Sequence, residues 1–312
     1  MNYYFQLARQ ALCEAVRLIG EGEPSVIAVP RFICSDVPAA LRDAGHDVVY
    51  YEVDCSMQPA FSESAPTCDA LIAVNYFGFP SSIDDIVAAW GIGRGRIIED
   101  NAHGLFSSDS NGVPLGTRTR YGVTSFRKSL RVPDGGILHV NEGHGALQSS
   151  PNQLDPVRRR ASIGFVLRSC ASALETLTHA PVMNIARGVK RRIHHSTRTA
   201  TSSAWKPHPA SLVSVRTLQE TDCGQETRRR RTEYASIAPL VESAGGTLLF
   251  PVLPDNVVPY GVPFLGDKTV ARTVARRIFW RGNEVFSWPD LPDTDYETSS
   301  WQRNIYLVSF LQ

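Results

Sequence analysis

Apolar residues recur along this chain in two periods, and the switches between them mark out its elements. Residues 4–19 carry Phe5, Ala8, Leu12, Val16 and Ile19 at helical intervals, which predicts one amphipathic helix ended by Gly20 and Gly22. Short apolar runs follow at 25–29, 48–53, Ala70–Val74, 96–99, 121–126 and Gly136–Val140. They are too short for helices and mostly lack the alternation of half-exposed strands, so they read as strands covered on both faces. Helical segments lie between them. One carries Val37, Ala40 and Leu41 behind a Ser35 cap, with Gly45 after its end, and another spans 81–90 behind Ser81 or Ser82. Strands alternating with helices predict α/β layers around a largely parallel sheet.

The pattern changes in the second half. Residues 154–190 are helical in flavour, with Ile163, Val166, Leu167, Cys170, Leu174 and Leu177 at helical spacing. A basic stretch, Arg187 to Arg192, then His194-His195 and a Ser/Thr-rich run to Pro209 read as a bridge. The expected division is a large domain at 1–205 and a smaller C-terminal α/β domain at 206–312. The smaller part is predicted to hold a long helix containing Arg228 to Arg231, a strand at 247–252, a helix at 268–280 and a last strand at 305–310. Those four arginines are expected on the helix surface, their stems covering apolar neighbours.

Composition narrows the class. The 312 residues are 43% hydrophobic and 20% charged, which is globular, and a net charge of +1 creates no field that demands nucleic acid or a membrane. Cys13, Cys34, Cys55, Cys68, Cys170 and Cys223 are scattered without a C-x-x-C pair, which argues against a zinc site or disulfide framework and suits a reducing compartment. The N-terminus lacks the basic and apolar regions of a signal peptide, and no apolar run approaches a membrane span, so a cytoplasmic location is expected. The glycines of Gly91-Ile92-Gly93-Arg94-Gly95 precede a strand instead of following one, which is the wrong order for a dinucleotide loop. His194-His195 has no ligand-spaced partner, so no metal is expected, and neither Ser125 nor Ser169 sits in a G-x-S-x-G elbow. The Arg187 to Arg192 stretch reads as a solvated linker face, with contact to substrate phosphates as the alternative.

The chemistry gathers between residues 97 and 136. There Ile97-Ile98-Glu99-Asp100-Asn101-Ala102-His103-Gly104 is followed by Thr124-Ser125-Phe126-Arg127-Lys128-Ser129-Leu130-Arg131-Val132-Pro133-Asp134-Gly135-Gly136. An acid, a lysine and hydroxyls are the parts needed to hold a pyridoxal phosphate ring, the acid keeping the pyridine nitrogen protonated while the cofactor serves as electron sink. Asp100 stands at the end of an apolar run and so projects from the carboxyl edge of a strand, where ligands bind in open α/β sheets. Lys128 needs a depressed pKa to present a neutral amine, and burial together with the charges of Arg127 and Arg131 would push it that way.

These segments resemble the DegT/DnrJ-type aminotransferases, pyridoxal 5'-phosphate enzymes of fold type I. Ala8-Arg9-Gln10-Ala11-Leu12 is similar to the family's first helix start, and Val29-Pro30-Arg31-Phe32-Ile33-Cys34 to the segment carrying an aromatic near the cofactor. Val74-Asn75-Tyr76-Phe77-Gly78-Phe79-Pro80 resembles its strand-and-turn, Glu99-Asp100-Asn101-Ala102-His103 its acidic block, and Leu115-Gly116 the short turn beyond. The resemblance implies that Asp100 pairs with the pyridinium, His103 lies near the ring hydroxyl and Lys128 forms the Schiff base. It further implies that Ser125 and the amides of Ala8 and Arg9 meet the phosphate, and that Phe32 stacks on the ring. The implied activity passes an amino group from an amino acid such as glutamate to a nucleotide-linked keto sugar, in a homodimer. Three departures accompany it: Ala8 replaces the usual glycine, Ser125 and Lys128 are three apart instead of five, and little follows Phe310. They motivate the alternative of a catalytically divergent member serving as a cofactor-binding or partner-docking module.

Overall fold

In the computed structural model, residues 1–141, 205–288 and 301–310 are described. The helical reading of 154–190, the basic stretch from Arg187, His194-His195, Ser169 and Cys170 lie outside them.

Seven strands form the first sheet: β1 (Asn2–Phe5), β2 (Val26–Pro30), β3 (Asp47–Tyr51), β4 (Ala70–Val74), β5 (Ile97–Asn101), β6 (Tyr121–Thr124) and β7 (Gly136–Val140). Their spatial order is β1-β7-β6-β5-β4-β2-β3. Pairings from β3 through β2, β4 and β5 to β6 are parallel, whereas β7 runs against both β6 and β1. Every residue of β4 and β5 is buried, as continuous apolar runs require of a sheet covered on both faces. Helices α1 (Ala8–Ile19), α2 (Asp36–Asp43) and α3 (Ile83–Trp90) supply the layers expected between strands. Gly91, whose φ is +67°, ends α3 in the left-handed conformation, so the glycine-rich stretch serves as a helix stop.

Several boundaries depart from the periodicity, the strand expected at 247–252 closing at Leu248 among them, and two of them shape the site. The first helix opens at Ala8 and not at residue 4, because residues 2–5 pair with β7 in register Phe5↔Gly136. Long-range pairing overrides a helical stripe that continued through Tyr4 and Phe5. The run expected as strand to 126 stops at Thr124, and Phe126–Ser129 forms a single turn, α4, that carries Lys128.

Beyond residue 205 come α5 (Leu212–Glu220), α6 (Cys223–Glu242) and α7 (Lys268–Arg277), with strands β8 (Thr247–Leu248), β9 (Gly261–Leu265), β10 (Glu284–Ser287) and β11 (Ile305–Ser309). The four strands make an antiparallel sheet, β10-β11-β9-β8. Ile237 and Val241 of α6, Val274 of α7, and Phe264 and Val308 of the sheet share one core. Asp222 accepts from Gln225 N at the start of α6, and Asp267 from Thr269 N and Val270 N at α7, each satisfying an otherwise free amide. Arg230 corrects the surface expectation for α6: it is 1% exposed, the largest fully buried side chain among the described residues.

Candidate active site

The carboxyl end of β5, the turn α4 and the first turn of α1 face one cavity. Its empty volume is about 560 Å³ including the open mouth, and Ala8, Arg9, Cys34, Asp100, Ser125 and Lys128 are among its lining residues. Asp100 and Lys128, apart in sequence, meet because β5 and β6 lie side by side with Asp100 opposite Val123.

Asp100 is buried, and its Oδ1 accepts from Ala102 N at 2.9 Å. Desolvation holds its carboxyl above the usual range, opposed by the Lys128 charge and by that backbone hydrogen bond. Lys128 Nζ lies 3.0 Å from His103 Nε2. Burial pushes the Lys128 amine down, Arg127 adds to this, and Asp100 is the main opposing charge.

His103 is 3% exposed, and burial followed by the Lys128 charge drives its pKa well below the ordinary imidazole value. An ammonium can only donate, so opposite a charged Lys128 the imidazole Nε2 accepts and the ring proton sits on Nδ1. That Nδ1 is buried without a hydrogen-bond partner among the described residues. The ring stacks with Tyr260 at 4.7 Å between centroids and with Phe77 at 6.0 Å, while Trp288 meets it at 5.0 Å and 70°. Phe77 holds φ at +57°, a left-handed conformation rare for a bulky residue and worth study where it abuts a site.

Helix α1 starts after Leu7, whose amide donates to Gln10 Oε1 at 3.0 Å but which has no side-chain acceptor for the amides that follow, Ala8 and Arg9. The free amides of a helix N-terminus attract anions, and Ser125 adds a hydroxyl on the same cavity wall. Gly136 makes this possible: a Cβ there would lie 2.5 Å from Ala8 N and push the helix start away.

Phe32 is fully buried, but it packs against Tyr76, Trp288 and Trp301 and does not line the cavity. Sequence reasoning had no signal for Cys34 or Asp36 in the cavity wall, nor for Tyr260 and Trp288 over His103. Those contacts are made by distant segments.

No family model and no curated protein matches the chain. Solved structures do. A DegT DnrJ EryC1 StrS aminotransferase from Brucella abortus matches with a TM-score of 0.56 at 15% identity, over 99% of this chain and 80% of that one. The aminotransferase TlmJ from Streptoalloteichus hindustanus gives 0.57 at 20% identity, covering 99% and 80%. PseC of Helicobacter pylori, an aminotransferase of pseudoaminic acid biosynthesis, gives 0.59 at 12% identity, covering 99% and 81%. This chain has the fold of these aminotransferases. At such identities the likeness establishes architecture, and the fold-type-I expectation holds. In that fold the cavity occupies the carboxyl edge of the parallel strands, between α1 and α4.

The donor set fits pyridoxal phosphate. An amine of lowered basicity, a buried carboxylate, and the helix-start amides of Ala8 and Arg9 beside Ser125 are the complements of an aldehyde, a pyridinium and a phosphate; His103 touches Lys128 Nζ but does not line the cavity.

Proposed function

We propose that the chain is a pyridoxal-phosphate-dependent aminotransferase of the sugar-modifying class. Its donor is an amino acid such as glutamate and its acceptor a nucleotide-linked keto sugar. One observation carries the reading: Lys128, Asp100, Ser125 and the start of α1 share a single cavity. The fold neighbours support it. Spr1654 from Streptococcus pneumoniae is described in PLP and PMP forms, and DesI with a TDP-sugar product. A homodimer, a cytoplasmic location and a boundary near residue 205 belong to the same reading and rest on the resemblance.

When bound, the cofactor supplies an aldehyde and an electron-withdrawing ring. Lys128 contributes the nucleophilic amine and, once displaced, accepts and returns a proton at Nζ. Its lowered basicity enlarges the neutral fraction that can do either. His103, kept neutral by burial, accepts the hydrogen bond of the resting amine and so fixes its direction. Asp100 holds a proton at the ring nitrogen, a task suited to a carboxylate withdrawn from water and bound by only one backbone amide. Ser125 and the amides of Ala8 and Arg9 receive the phosphate.

Purified protein given pyridoxal phosphate should show a visible band that borohydride removes, with the label on the peptide containing Lys128. Glutamate should convert that band to the aminated form. A Lys128→Ala protein that keeps the reducible adduct overturns the reading. Bound cofactor that no amino donor converts favours the binding-module alternative.

A further inference from the structure

Arg230 is a cation withdrawn from solvent, at 1% exposure, on a helix that lines no part of the cavity. Its Nε pairs with Glu226 Oε1 at 2.6 Å. Its Nη2 donates to Ser129 O at 2.7 Å, the carbonyl directly after Lys128 at the end of α4. Nη1 donates to Pro259 O at 3.3 Å and Tyr260 O at 3.5 Å. One planar guanidinium therefore reaches three elements: α6, the turn that carries Lys128, and the segment whose Tyr260 stacks on His103. That segment is anchored elsewhere too, by Tyr260 N to Phe77 O at 2.8 Å and by Arg231 Nη1 to Val257 O at 2.8 Å. Lys128 and His103 are the two groups whose separation sets the amine's direction, and Arg230 holds the backbone behind one and the stacking partner of the other.

We propose that Arg230 is a positioning residue, fixing α4 against the Tyr260 segment so that Lys128 Nζ stays seated on His103. The inference rests on the functional reading of Lys128, but its test does not need the cofactor. A fork with five fixed donors can serve several carbonyls at once, whereas the lysine ammonium is a point charge on a flexible stem. Loosening α4 should admit water to the amine, relax its depressed basicity and weaken its hold on His103. The main groups that act on Lys128, namely Asp100, Cys34, Arg127 and Asp36, are all left in place by changing Arg230.

The experiment is competitive acylation of the unloaded chain across pH, read peptide by peptide, with Lys206 and Lys268 as internal references. In the native chain Lys128 is expected to react with a midpoint below the ordinary lysine value. Arg230→Met should move that midpoint about one unit toward the ordinary lysine value near 10.4, and Arg230→Lys should recover part of the shift. Equal midpoints in native and Arg230→Met chains, both folded by circular dichroism, overturn the proposal. Should neither variant fold, hydrogen exchange on the native chain decides. Peptides covering α4 and α6 opening together support the tether, and α4 opening independently refutes it. Failure of the functional reading looks different: a native chain that forms no reducible cofactor band, whatever Arg230 does to the acylation midpoint.

Discussion

Glu99 and Asp100 are neighbours on β5, both buried, and the protein treats them in opposite ways. Glu99 accepts from Asn75 Nδ2 at 2.8 Å, from Arg118 N at 3.0 Å and from Arg118 Nε at 2.8 Å. Arg118 also donates to Ser81 O and Asn75 Oδ1, so the pair closes a network that fixes the end of β5 to the turn after β4. Asp100, pointing the other way on the strand, accepts one backbone hydrogen bond and faces the cavity with Lys128 as its nearest cationic influence. Successive side chains on a strand alternate between faces. One acidic pair can therefore supply an internal clamp and a reactive carboxylate one residue apart. Burial alone does not mark a functional acid: the informative difference lies in how completely its partners satisfy it.

Breaking the clamp should give the largest effect. Arg118→Met leaves Glu99 buried and uncompensated, which costs about 3–5 kcal/mol of folding stability. Chemical denaturation measures it, and a loss under about 1 kcal/mol would mean that Glu99 is no more committed to the fold than Asp100. Asp100→Asn should do the reverse. Transamination falls about a hundredfold, or roughly 2.7 kcal/mol in the barrier, while the denaturation midpoint holds or rises. A variant that loses stability and keeps its rate would exchange the two roles.

The pH dependence of stability sharpens the contrast. Asp100 has a folded-state pKa above its unfolded value near 3.9, so between those two values the native state binds the extra proton. Its contribution is complete below about pH 3.9 and is lost as pH rises through the folded value. Subtracting the Asp100→Asn curve from the native one should isolate a slope of at most about 1.4 kcal/mol per pH unit. A difference curve that is flat, or that rises with pH, contradicts the desolvated carboxylate. The smallest effect belongs to Phe32→Leu. The ring packs among Tyr76, Trp288 and Trp301 outside the cavity, so the change should cost about 1–2 kcal/mol in stability. Cofactor affinity, followed by titration of the visible band, should stay the same. Weakened binding would restore the stacking role that the resemblance implies.

The legible parts of the chain were those with a local cause. Ala70–Val74 matches its run residue for residue, because a strand covered on both faces must be apolar throughout, and Gly136–Val140 keeps its expected bounds although its last two residues, His139 and Val140, are half-buried. Elsewhere the local signal misled or was silent. Tyr4 and Phe5 fit a helical stripe yet belong to β1, paired with β7 far along the chain. Pro263 interrupts the strand signal of 261–265, and β9 was not expected there, although it pairs with β11 over five registered positions. Arg230 reads as one of four helix-surface arginines, since nothing in α6 alone reveals that Ser129, Pro259 and Tyr260 present carbonyls to it.

The order of residues by itself determined the alternating strands and helices, the acid at the end of a buried run, and the lysine close to a glycine pair. Each follows from chemistry within a few neighbours: burial on both faces, capping, and the conformational freedom of glycine. Only the tertiary structure decided which of these groups share a cavity, which carboxylate is paired with an arginine and which faces the cavity, and which arginine is buried. Those outcomes depend on segments far apart in sequence arriving at the same point, and the energy of a buried charge is set by what arrives there.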